Sequence, residues 1–141
     1  MITDPVSFRS ACPSDVSSIV QLIEPFVVQK CLLARGEEEL LKLVENGFVA
    51  VHDELIVGFG AVEIYSPKLA EIQCLAVADS HQSQGLGKHL VELCIDCAHQ
   101  NGVHELMAIT VSDGLFLDCG FDYSLPDQKR ALFIDPREKQ R

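Results

Sequence analysis

Leu75-Ala76-Val77-Ala78-Asp79-Ser80-His81-Gln82-Ser83-Gln84-Gly85-Leu86-Gly87-Lys88-His89-Leu90 runs from an apolar, strand-like segment through a polar glycine loop into a helix. The helical pattern extends from Gly87 to Gln100, with Leu90, Cys94, Cys97 and Ala98 on one stripe and Asn101-Gly102 as its stop. The first amides of a helix have no internal partner, and the helix dipole adds partial positive charge there. Such an end attracts an anion, and glycines let a diphosphate approach the backbone closely. Lys88, in the first turn, adds a point charge. Two glycines alone would favour an ordinary strand-turn-helix connection with small residues for packing. The spacing is neither the GxGxxG of a dinucleotide fold nor the GxxxxGK[ST] of a P-loop.

Working outward, Leu69 to Val77 alternates in part, with Ile72, Cys74 and Ala76 set against Glu71, Gln73 and Leu75. Before it, Phe48 to Val51 and Leu55 to Ile64 flank His52-Asp53-Glu54 as a hairpin, and Ser66-Pro67-Lys68 forms the next turn. Further upstream, Phe8 to Ala11 reads as a first strand. Pro13-Ser14-Asp15 opens a helix from Val16 to Phe26, with Ile19, Leu22 and Ile23 on its apolar face. A second helix follows the acidic start Gly36-Glu37-Glu38-Glu39 and stops near Asn46-Gly47. Downstream, Glu105 to Thr110 is a strand and Leu115 to Asp118 a short helix. Phe121-Asp122-Tyr123 begins a final strand, and Ala131 to Ile134 is a further edge. Hairpins followed by a strand-helix-strand crossover predict an α/β fold, a mixed and mostly antiparallel sheet with helices on both faces.

The chain has 141 residues, the usual size of a single domain, so residues 1–141 are read as one unit. Its formal net charge of −10 disfavours nucleic acid as a partner. No apolar run reaches the roughly 20 residues of a membrane span, and the N-terminus lacks a secretory pattern. A cytoplasmic location is expected. The six cysteines read as reduced core thiols, since the single CxxC at Cys94 and Cys97 lies inside a helix with no second ligand pair. The five histidines show no ligand spacing, and no metal is expected.

Gln82-x-x-Gly85-x-Gly87, following Leu75-x-Val77, resembles the pyrophosphate motif of the GNAT acyltransferase superfamily. Phe8-Arg9-Ser10-Ala11 with Asp15 resembles the family's opening strand and helix, and Phe116-x-x-x-Gly120-Phe121 its closing turn. Leu32 to Arg35, Ala70 to Val77 and Leu125 to Arg130 resemble the acetyltransferase domain of N-acetylglutamate synthase, here without the kinase domain often fused to it. Thr110 to Asp113, Phe133-Ile134 and Lys139 depart from that pattern.

The resemblance implies a GNAT-type fold that moves an acetyl group from acetyl-CoA directly to a primary amine. The α-amine of an acidic amino acid such as glutamate is one acceptor. Cationic amines, a protein N-terminus, or a non-catalytic role in sensing acyl-CoA are the alternatives. The amides of Ser83, Gln84, Gly85, Leu86, Gly87 and Lys88, with Gln82, would hold the diphosphate. The backbone of Leu75 and Val77 would pair with the pantetheine arm, and the Val77 amide would serve the oxyanion. Phe116 stands where many members carry a leaving-group Tyr. An acceptor amine must lose a proton before attack, and Glu71 is the candidate base. Arg35 and Arg137 would clamp an acceptor carboxylate bidentately. A site shared across a homodimer fits the altered acceptor positions.

Overall fold

The computed structural model describes residues 5–123, 132 and 134–137. The chain opens with β1 (Ser7–Ser10), a 3-10 turn at Pro13–Asp15 and α1 (Val16–Val28). Arg9 grips Asp15 bidentately at 2.8 and 2.9 Å, and the same carboxylate accepts the Cys12 amide. One charge pair thereby fixes the angle between first strand and first helix, which is why Phe8 to Ala11 and Asp15 belong together. Arg9 holds the Asp15 carboxyl down at about 2, against the opposing effect of burial. α1 runs two residues beyond the expected Phe26 and stops before Lys30, whose φ is +62°. α2 (Glu37–Leu43) continues as a 3-10 turn through Asn46.

β2 (Gly47–His52) and β3 (Leu55–Ser66) form the expected hairpin, with Asp53 and Glu54 both at positive φ. Two left-handed central residues make the turn whose twist matches the strands. β4 (Leu69–Val77), α3 (Leu86–Gln100), β5 (Glu105–Met107) and α4 (Asp113–Asp118) complete the described elements. The sheet order is β1-β2-β3-β4-β5, antiparallel except for the parallel β4–β5 pair. α1 and α2 cover one face, where Ile19, Leu40 and Phe59 are fully buried. α3 and α4 cover the other with Val91, Cys94 and Phe116. Helices therefore lie on both faces, as expected. Among the described residues no helix is long and apolar enough to cross a membrane.

The decisive irregularity is in β4. Ala61 faces Gln73 but Phe59 faces Ala76, so Cys74 and Leu75 together oppose Gly60. Cys74 takes φ +62°, a β-bulge conformation rare for a side-chain-bearing residue. Ahead of the bulge Ala70 and Ile72 pack toward α3; behind it Cys74 and Ala76 pack toward α1. The bulge thus swaps the two faces. Glu71 and Gln73 face the α1 side, and Leu75 joins the core under α3. A Cβ on Gly60 would stand 3.0 Å from Leu75 Cδ1, so a glycine opposite the bulge gives Leu75 its room.

Three sequence expectations are corrected. β5 ends at Met107 rather than Thr110, because β4 and β5 pair only from Leu69 to Glu71 and then separate, leaving residues beyond Met107 no strand to bond. Phe121 to Tyr123 form no strand; Phe121 packs edge-on against Phe116 and Tyr123 bonds Asp113. Cys12 and Cys31 are exposed, whereas Cys74, Cys94 and Cys97 are buried thiols as expected. Burial pushes the Cys94 thiol up to about 12. Leu125 to Arg130, Phe133 and Lys139 lie outside the described residues, as does all but Leu132 and Ile134 of the expected edge strand.

Candidate active site

Where β4 parts from β5, the sheet opens into a cleft of about 990 Å³ lined by residues from Phe26 to Phe116. One end of it is backbone. Ala78 N–H donates to Val57 at 2.8 Å, and Ala76 faces Phe59. Because bonded pairs alternate along an antiparallel ladder, the intervening Val77 turns its N–H and C=O away from β3. On that side β5 has already ended. The Val77 carbonyl accepts a bond from the Gln82 side chain at 3.0 Å, and Gln82 also reaches Asp79 at 3.1 Å. Gln82 therefore braces the turn from strand to loop.

The loop bends back through two left-handed residues, Ser83 at φ +66° and Gly85 at φ +81°. A Cβ on Gly85 would meet nothing within 4 Å, so conformation rather than space selects glycine there. On Gly87 a Cβ would sit 3.4 Å from Leu115. His89 N–H makes the first helix bond, to the Gly85 carbonyl at 3.1 Å. The amides of Leu86, Gly87 and Lys88 precede the ladder and are aimed out of the helix. Gln82, Ser83, Gly85, Leu86, Gly87 and Lys88 of the expected diphosphate loop line the cleft, whereas Gln84 does not. His81, also on the cleft, meets His52 ring to ring at 2.8 Å and ties the loop to the β2–β3 hairpin, a contact no spacing rule signalled.

The other end is built from side chains. Glu71 and Glu63 are direct cross-strand partners, and Tyr65 lies two residues beyond Glu63 on the same face. Tyr65 donates to Glu71 Oε1 at 2.6 Å, and burial together with that carboxylate pushes its phenol up to about 12. Gln73 Nε2 reaches the same Oε1 at 3.1 Å and Glu63 Oε1 at 3.2 Å. Gln73 Oε1 accepts from Arg35 at 2.5 Å, and Arg35 also caps the Leu33 carbonyl at 3.0 Å. Arg35, Glu71 and Gln73 line the same cleft as the loop. Sequence reasoning missed Glu63, Tyr65 and Gln73. Part of the signal was there: Glu63 and Glu71 lie four residues to either side of Pro67, so the turn sets them opposite each other, and Tyr65 and Gln73 both reach Glu71.

Phe116, the position of the absent Tyr, is buried and borders the cleft. Arg137 is not brought to Arg35; it pairs with Asp135 at 2.7 and 2.9 Å and does not line the cleft. Among the described residues no three His, Cys, Asp or Glu side chains converge as metal ligands. A smaller concavity of about 450 Å³ behind residues 110–116 contains no predicted site residue except Phe116.

A strand that splits from its neighbour, an anion loop on the following helix and a carboxylate across the cleft define an acyl-transfer fold. The chain belongs to the acetyltransferase (GNAT) family, whose model matches residues 15–121. It is 31% identical over 113 residues to an uncharacterized N-acetyltransferase of Chlorobaculum tepidum, covering 80% of this chain and 73% of that one. It is 33% identical over 137 residues to an amino-acid acetyltransferase of Ralstonia nicotianae, covering 93% of this chain but only 30% of that enzyme. Among solved structures, a Mycobacterium tuberculosis protein in complex with CoA superposes with a TM-score of 0.75 at 28% identity, over 81% of this chain and 70% of its own. N-acetylglutamate synthase of Neisseria gonorrhoeae, complexed with coenzyme A and N-acetyl-glutamate, gives 0.74 at 30% identity, over 83% of this chain and 28% of its own.

Proposed function

We propose that residues 1–141 act as a single acetyltransferase domain that moves an acetyl group from acetyl-CoA to the amine of a small acceptor. The α-amine of an acidic amino acid such as glutamate is the first choice. The observation that carries this reading is the shared cleft: free backbone and helix amides at one end, Glu71 and Arg35 at the other. The helix amides and Lys88 receive the diphosphate despite the acidic surface. The outward N–H groups of Leu75 and Val77 follow the pantetheine arm, and the Val77 amide faces the developing oxyanion. Glu71 takes the proton from the acceptor ammonium, directly or through water, and the free amine attacks the thioester. The carbonyl carbon gains its bond to nitrogen as the bond to sulfur breaks, and the surplus proton on that nitrogen passes through water to the departing thiolate, with no tyrosine at Phe116. Arg35, with a carboxylate-bearing acceptor, fixes the amine's approach.

A second acceptor class has its own support. Glu63 stands directly across the β3–β4 ladder from Glu71, which lines the cleft, and two carboxylates there favour a cationic amine such as a polyamine. Thiol release from acetyl-CoA against glutamate, lysine and spermidine separates the two. Faster turnover of glutamate, lost on Arg35→Ala, supports the first; faster turnover of spermidine, indifferent to Arg35→Ala, supports the second. No release with any amine would refute both.

A further inference from the structure

Gln73 touches both halves of the acceptor end, and its orientation is fixed by chemistry. Its Nε2 faces three acceptors: Glu71 Oε1 at 3.1 Å, Glu63 Oε1 at 3.2 Å and the Tyr65 hydroxyl at 3.2 Å. Its Oε1 faces the Arg35 guanidinium at 2.5 Å. Reversing the amide would set a carbonyl against two carboxylates and an NH2 against a cation, so only one orientation is consistent with the partners. Arg35 therefore donates to Gln73, and Gln73 donates to Glu71. On the far side Tyr65 also donates to Glu71 Oε1, and burial together with that carboxylate pushes its phenol up to about 12. With two donors on Oε1, the proton taken from an acceptor goes to Oε2.

We propose that Gln73 is a positioning residue: it sets the interval between the Arg35 guanidinium and the Glu71 carboxylate, and together with Tyr65 it leaves one Glu71 oxygen free for the acceptor's proton. This rests on the reading of Glu71 as base. The span is one amide and two hydrogen bonds, short enough for one small acceptor to reach both groups. The face swap at the Cys74 bulge makes this arrangement available, since Gln73 is the last β4 residue on the α1 side before the register changes. Side-chain position matters steeply in such a site, because misplacing a reacting group by about 1 Å can cost on the order of 100-fold in rate.

The test is Gln73→Met, which keeps the volume and removes every hydrogen bond, with acetyl-CoA as donor and the fastest of glutamate, lysine and spermidine as acceptor. Expected are a loss of roughly 10- to 100-fold in kcat/KM for the acceptor and an unchanged KM for acetyl-CoA. The melting temperature stays within a few degrees. In an Arg35→Ala background the same substitution costs only a few-fold, as coupled partners require. Equal losses in both backgrounds, or no loss, overturn the positioning role while leaving acetyl transfer intact. If Gln73→Met fails to fold, Tyr65→Phe must still lower kcat with the acceptor while leaving the KM for acetyl-CoA unchanged; an unchanged kcat overturns the inference. Absence of thiol release by the unaltered chain with all three amines refutes the transfer reading, and this role with it.

Discussion

The two ends of the cleft are made of different material. At the loop end, the groups proposed to hold the donor are peptide amides placed by the chain path, with Gly85 at φ +81° and Ser83 at φ +66°. At the mouth, they are side chains from three segments, Arg35 before α2, Tyr65 on β3 and Glu71 with Gln73 on β4. A backbone site tolerates side-chain change and fails when the chain path changes. A side-chain site behaves in the opposite way. Donor recognition should therefore be stable across substitutions that redirect acceptor choice.

The sharpest way to break this comparison is Glu71→Gln. Turnover should fall by roughly 100- to 10,000-fold, the range of a general base, while the Kd for acetyl-CoA stays put; steady-state kinetics beside calorimetry reads both. If affinity for acetyl-CoA falls equally, the two ends are not separate. Arg35→Ala comes next. With a carboxylate-bearing acceptor, KM for that acceptor should rise roughly 10- to 100-fold, as for loss of a charged hydrogen bond of about 1.5–3 kcal/mol. Gly85→Val attacks the other end. A β-branched residue at φ +81° costs about 1–2 kcal/mol, so acetyl-CoA should bind roughly 10-fold more weakly while a Gly87→Ala chain stays nearer the original.

The last effect concerns neither end, leaves turnover alone and serves as the control for both. Asp15 has its folded value lowered to about 2, so its pairing with Arg9 stabilises fully above the ordinary carboxylate range near 4. That contribution, about 2 kcal/mol, fades as pH falls through 2. Asp15→Asn should lower the melting temperature at pH 7 and converge on the original protein near pH 2. A gap that persists at pH 2 would assign the stability to something other than the charge.

Legibility in the sequence followed the same divide. The loop end could be read because a strand, a left-handed glycine and a helix start are neighbours in the chain, and each leaves a residue-type mark. The hairpin turn at Asp53-Glu54 and the stripe of α3 were legible for the same local reason. The mouth was half legible. Glu71 and Arg35 were named, but what joins them was not, since Arg35 and Gln73 are 38 positions apart. The bulge was hidden as well. Cys74 adopts a positive φ without being glycine, so plain alternation counted Cys74 and Ala76 with Ile72 on one face. The overlong β5 had a related cause: Ala108 to Thr110 have strand-like composition, but the neighbouring strand has turned away.

Titrating acetyl-CoA into the unaltered chain and into Glu71→Gln by calorimetry tests the divided cleft most directly. One-to-one binding with matching Kd values in both is expected, because the proposed donor site is made of amides that Glu71 does not touch. No saturable binding to the unaltered chain at millimolar donor would contradict it, whatever the acceptor turns out to be.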